Sequence, residues 1–188
     1  MDENTRIIYR QIQERMCKVT WSHTIQLEEA KRKNKKSYRI RCWKQGLSAV
    51  SSAGIITICF TSMGIQNLVE IGTAIVTTAL MFITWLSDNK LDSEADRGRH
   101  IASELHDLRN KYESLLTDIK SSSIDTNAAI GRRNELEKIE NSIYQKDLPS
   151  ASAKAIERAS IALKIDYQAK TTEEEINAII PESLLNEN

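Results

Sequence analysis

The sequence predicts an all-α membrane protein: a two-span transmembrane helical hairpin whose long cytosolic helices form a coiled-coil-like bundle. Three observations carry that prediction. The chain is 28% charged, yet Glu70 is its only charge between Lys44 and Asp88. On both sides of this quiet stretch apolar residues recur at steps of three and four, the period of helices packed along one face. The 188 residues hold only 6 Gly and 2 Pro, so little of the chain is obliged to turn.

Residues 1–44 read as a basic amphipathic cytosolic helix. Ile8, Ile12, Met16, Val19, His23, Leu27 and Ala30 form its apolar stripe, and the helix is expected to run into the first span with little interruption. Its net charge of +7 stands against −6 for residues 88–188, so the neutral total conceals a basic front and an acidic back. The basic front has two readings. It lies against anionic lipid, at roughly 1 kcal/mol per cation close to the surface, or it only sets topology.

Residues 45–87 are the expected hairpin. Residues 46–66 are 21 in number, roughly 31 Å of helix, about the thickness of a hydrocarbon core. Residues 71–87 are 17, roughly 25 Å, a short span unless the bilayer thins or Glu70 sits at the headgroups. Gly64, Gln66 and Asn67 supply the turn. A pair of buried core helices is the competing reading, but such helices rarely run this far without a charged residue on a solvated face. Lys31, Arg32, Lys33, Lys35, Lys36, Arg39, Arg41 and Lys44 crowd the approach, and the turn has no Lys or Arg. The positive-inside rule then places both termini in the cytoplasm, with Trp43 and Trp85 on the same aromatic belt. The apolar stretch begins too far from Met1 for a signal peptide.

Residues 88–170 form the expected cytosolic helical region. Leu91, Ala95, Gly98, Ile101, Leu105, Leu108, Tyr112, Leu115 and Ile119 make its stripe, and the last six keep a heptad. This seam should pack on another helix, within one subunit or between subunits. Ser121 to Asp125 is a loop with N-cap residues, followed by helices expected over 126–145, with Ile130, Leu136, Ile139 and Ile143, and over 152–167, with Ala155, Ile156, Ala159 and Leu163. Thr172 could cap a last short helix that Pro181 ends. Residues 171–188 read as an acidic C-terminal tail that docks weakly or stays mobile.

Catalytic chemistry is not expected. There is no Gly-rich phosphate loop, and no nucleophile signature accompanies the serines. His23, His100 and His106 have no partner at metal spacing, and Asp88, Asp92, Glu94 and Asp96 resemble a calcium loop only in charge. Cys17, Cys42 and Cys59 read as reduced thiols. No metal and no cofactor is expected, nor direct DNA or RNA binding.

The charge-free stretch is rich in hydroxyls. Ser48, Ser52, Cys59, Ser62 and Gln66 share one helical face, Thr57 and Thr61 are one turn apart, and Thr73, Thr77 and Thr84 share a face of the second span. Small hydroxyl residues let membrane helices approach closely, so these are packing faces on one reading. On the other they line a pore, with Ser48, Ser52, Thr57, Thr61, Thr73 and Thr77 the candidates. Two spans cannot enclose water, so a pore requires a homo-oligomer.

The layout resembles a known family. A basic helix leads through RIRCWKQGLSAVSSAGI into two spans, then a helix with RGRHIASELHDLRNKYESLL and a tail of short helices. Over roughly residues 5–165 this is similar to the SLATT family, two-transmembrane effectors encoded beside bacterial nucleotide-second-messenger synthases in anti-phage defence. The resemblance implies an inner-membrane effector that oligomerises and permeabilises the bilayer. A cyclic oligonucleotide would activate it or act as a brake. A cytosolic nucleotide site needs cations, and Arg97, Arg99, Arg109, Lys111, Arg132 and Arg133 are candidates; alternatively they are solvated faces paired with Glu and Asp. The alternative function is a membrane-anchored scaffold without conductance that recruits partners through its seam.

Overall fold

The computed structural model describes residues 3–60, 75–79, 81–82, 90–146, 148–163 and 173–185. Every regular element among them is helical: α1 (Glu3–Phe60), α2 (Lys90–Lys120), α3 (Thr126–Tyr144), α4 (Ala153–Leu163), α5 (Glu173–Ile179) and a 3-10 turn (Glu182–Leu184). Residues 75–79 and 81–82 are helical as well. The chain divides into two compact units, Met1–Ala30 with Asp96–Asn188, and Lys31–Ala95.

The first unit is built on the two stripes. Ile12, Met16 and Val19 of α1 are fully buried, as are Leu105, Tyr112 and Leu116 of α2. Of the nine stripe positions on α2, all from Ala95 to Ile119 are buried, and Leu91 is half-buried. The seam is therefore satisfied inside one chain. α1 and α2 approach closely where Gly98 meets Ala30: a Cβ on Gly98 would stand 3.4 Å from the Ala30 Cβ. Ala129, Leu136 and Ile143 bring α3 into the same core.

Local chemistry explains the joints. Asp125 caps α3, its side chain accepting from the Ala128 N–H at 2.7 Å. α2 ends in a Schellman arrangement, with Ser123 N–H on the Asp118 carbonyl and Ser122 N–H on that of Ile119, both at 3.0 Å. Ser122 has φ 55, a left-handed conformation that favours glycine. Ser152 caps α4 by accepting from the Ala155 N–H, while its own N–H and Oγ–H donate to the Glu29 carboxylate at 3.1 and 2.6 Å. Glu29, 2% exposed, thereby ties α1 to the start of α4.

The C-terminal residues do more than the sequence suggests. Ile176, Ile180 and Leu184 join the core, and Tyr9 Oη and Gln13 Nε2 both donate to the Leu184 carbonyl, at 2.7 and 2.9 Å. Residues 173–185 are thus packed against α1, which decides between docking and mobility for that part of the tail. The signal lay in Ile176, Ile180 and Leu184 at a step of four, which the surrounding acidic residues masked.

In the second unit α1 continues without a break through the basic segment into the uncharged stretch as far as Phe60, as expected. Lys33 and Ser37 are buried there, and Lys33 Nζ pairs with Glu94 Oε2 at 2.9 Å. Arg41 pairs with Asp92 at 3.5 Å. Tyr38, Trp43, Ile75, Met81 and Phe82 are exposed. Among the described residues no helix is long and apolar enough to cross a membrane. The expected turn and much of the expected second span lie outside the described residues.

Candidate functional site

Three groups of residues bear on function. The first is the hydroxyl set. Ser48 is exposed on α1, and Ser52 and Thr57 lie further along the same helix. Thr77 is exposed within the helical residues 75–79, and Thr61 and Thr73 lie outside the described residues.

The second is the set of six cations, all in the first unit, and the structure does not bring them together. Arg97, Arg99 and Lys111 are exposed on α2, with Arg99 on Asp96 at 3.0 Å. Arg109 is half-buried, and its Nε has no hydrogen-bond partner. Arg132 pairs with Asp118 at 2.5 Å, and Arg133 donates to Gln11 Oε1 at 2.7 Å and to Asn134. Arg97 and the Asp118–Arg132 pair stand 21 residues apart along α2, roughly 31 Å, so one small ligand cannot touch both.

The third group was not singled out by sequence reasoning. Arg6, Arg10 and Gln13 of α1 face Glu173, Ile176, Asn177 and Leu185 across a groove of about 290 Å³. Two guanidiniums, two amides and one carboxylate line it, and Arg10 Nη2 holds Glu173 Oε1 at 3.1 Å. That pair is largely exposed, so it contributes roughly 0–1 kcal/mol and yields readily to a competing anion. From sequence, Arg6 and Arg10 were indistinguishable from the rest of the basic front. Their partners stand more than 160 residues away.

A polar network ties α1, α2 and α3 together within the same unit. Arg15 reaches Glu137 at 2.5 Å and Glu140 at 3.2 Å, and Tyr112 Oη donates to Glu140 Oε2 at 2.8 Å. Glu140 is 6% exposed, and each of its ties removes a desolvation cost. Burial, reinforced by the Glu140 charge and hydrogen bond, pushes the Tyr112 hydroxyl well above the usual tyrosine range. Burial also raises Tyr144, whose Oη donates to Ser22 Oγ at 2.9 Å. The fold brings His23 and His106 together, their ring centroids 5.5 Å apart, a pairing that helical spacing alone does not reveal. Among the described residues no cluster could hold a metal ion through three or more His, Cys, Asp or Glu.

No curated protein and no solved structure matches the chain. The profile of the SMODS and SLOG-associating 2TM effector domain, family 4, matches residues 8–175, which takes in most of α1, the uncharged stretch, the seam and the start of α5. On that match, covering nearly the whole chain, the protein belongs to this family of two-transmembrane effector domains.

Proposed function

We propose that the chain is a membrane effector of bacterial anti-phage defence. Residues 46–66 and 71–87 insert as a two-span hairpin in the inner membrane with both termini in the cytoplasm, and several copies assemble to permeabilise the bilayer. A cyclic oligonucleotide sets the state of the assembly, as activator or as brake. The observation that carries this reading is the family match over a chain that is charge-free where two spans are needed and basic where the first begins. The hydroxyl residues Ser48, Ser52, Thr57, Thr61, Thr73 and Thr77 supply faces that can turn toward water when copies assemble. A recruiting scaffold fits less well, because the seam it would offer to partners is buried within the chain.

Of the cation sets, the Arg6–Arg10 groove suits an anionic ligand better than the six dispersed residues, because it has walls. Its volume of about 290 Å³ is near the low end of ordinary ligand pockets, roughly 300–1,000 Å³. An anion seated there would displace Glu173 from Arg10 and loosen the C-terminal clasp on α1.

Vesicles loaded with dye and reconstituted with the full chain test the reading. Leakage is expected on adding, or on withdrawing, a cyclic oligonucleotide, and Arg6→Gln with Arg10→Gln should blunt the response. A Leu scan over the six hydroxyl positions should lower leakage at pore-facing positions without lowering the oligomer yield. Packing positions instead lose oligomer and leakage together, because Leu overfills a close contact. Vesicles that stay sealed under every trigger rule out the effector and leave the scaffold.

A further inference from the structure

The basic approach to the uncharged stretch is one continuous helix, and that fixes how far each cation stands from its start. At 1.5 Å per residue, Lys44 lies roughly 3 Å, Trp43 roughly 4.5 Å and Arg39 roughly 10 Å before Gly46. Lys35 and Lys31 lie roughly 16 and 22 Å before it. The headgroup layer on each side of a bilayer is only roughly 5–8 Å deep. An ordinary tilt of roughly 20° shortens these heights by less than a tenth. A straight helix entering the membrane therefore cannot lay its whole basic segment on the surface, and only its last two turns meet the headgroups.

Within those turns the structure separates the cations. Arg41 already faces Asp92, and further up Lys33 is held by Glu94, so the start of α2 neutralises that side of α1. Arg39 is exposed and Lys44 half-exposed, and neither has an acidic partner among the described residues. Trp43 is 69% exposed and Tyr38 65%, an uncommon state for two large rings so close together on one helix. Rings with an apolar body and a polar tip, interleaved with long cationic side chains, fit the boundary between acyl chains and headgroups.

We propose that residues 39–44 form a headgroup collar in which Arg39 and Lys44 reach the phosphates of anionic phospholipids and Trp43 seats at the boundary, with Tyr38, roughly 12 Å before Gly46, above the headgroups. Lys31 and Lys35 stand beyond direct reach, where physiological salt screens them over roughly 8 Å. The collar rests on the reading that the helix enters a bilayer at Gly46. Its effect is to anchor α1 at a set depth in membranes that carry anionic lipid.

The test uses the full chain in vesicles of phosphatidylcholine mixed with phosphatidylglycerol. Spin resonance of nitroxide-labelled forms of each lipid reads the relative association of the two with the protein. Wild type should favour phosphatidylglycerol. Arg39→Gln with Lys44→Gln should lower that preference by roughly fivefold per charge removed, while Lys31→Gln with Lys35→Gln should change it by less than about twofold. All four positions are exposed or half-exposed, and unchanged helicity checks that each variant folds. A protein that floats with the vesicles but loses its preference equally in both variants, or has none to lose, overturns the collar alone. A protein that does not float with the vesicles overturns the hairpin and the collar with it.

Discussion

One helix, α1, has two opposite fates along its length. In residues 3–30 most of the apolar stripe goes into the core, with Ile12, Met16 and Val19 fully buried. In residues 31–46 of the same helix Tyr38 and Trp43 stand exposed, and after Lys44 the sequence carries no charge until Glu70. The difference lies in what each stretch requires as cover. The first is amphipathic, so it has one face to hide, and α2 supplies the cover from the same chain. Residues 46–60 have no charged face to leave in water, and their backbone groups are paired within the helix, so an apolar solvent suits them. Helix propensity is common to both; the charge pattern decides where each is at home.

The strongest way to break this comparison is to charge both regions. Leu105→Asp with Leu108→Asp puts two carboxylates into a seam where both leucines are essentially unexposed. Each should cost at least roughly 3 kcal/mol, enough together to unfold a domain of ordinary stability. The detergent-solubilised protein should lose much of its helicity. Tyr38→Asp, at a site 65% exposed, should leave helicity unchanged. Equal losses at the two sites would mean that residues 31–46 are covered by something other than solvent or lipid.

A smaller effect sharpens the account of the first region. Glu140→Ala leaves the Tyr112 hydroxyl without its acceptor and frees one arm of Arg15, at a cost of about 2–3 kcal/mol. Denaturant titration reads the loss, and Tyr112→Phe combined with Glu140→Ala should recover part of it, because the orphaned hydroxyl is gone. Full additivity of the two changes would show that the pair is not coupled.

Alkaline pH probes the same buried hydroxyls. Tyr112 and Tyr144 are both raised, so the folded chain keeps protons that the unfolded chain releases above about pH 10. Their contribution is fully present below that pH and is lost as pH rises beyond it, by up to about 1.4 kcal/mol per unit for each tyrosine. Tyr112→Phe should flatten the fall in denaturation midpoint above pH 10 relative to wild type. An unchanged slope would place the alkaline loss in other groups.

These expectations also mark what could be read in advance. The stripes of α1 and α2, the continuity of α1 into the uncharged stretch and the loop at Ser121 to Asp125 were legible, because each is a local consequence of helical period or capping. The Arg15–Glu137–Glu140–Tyr112 network was not. Glu137 and Glu140 are ordinary helix-surface residues until α1 is laid beside α3, and no spacing rule links positions over a hundred residues apart. The groove at Arg6 and Arg10 was hidden for the same reason. The C-terminal clasp was obscured by composition, since its acidic residues outvoted three well-spaced apolar ones.

The smallest effect concerns the turn that joins α2 to α3. Ser122 holds φ 55, the only non-glycine residue with positive φ among those described. The conformation is imposed by the Schellman closure, in which Ser123 must reach back to Asp118 and Ser122 to Ile119. A side chain in the left-handed region costs roughly 1 kcal/mol, because Cβ crowds the following carbonyl. Glycine removes that crowding but is freer in the unfolded chain, which returns part of the gain. Ser122→Gly should therefore stabilise the first unit by about 0.5 kcal/mol, read as a higher denaturation midpoint at constant m-value. Ser122→Val should destabilise it by about 1–2 kcal/mol, because branching at Cβ makes the left-handed region worse. If glycine and valine shift the midpoint in the same direction, the turn is not held left-handed in solution. The loop between seam and α3 would then be looser than its two backbone hydrogen bonds require.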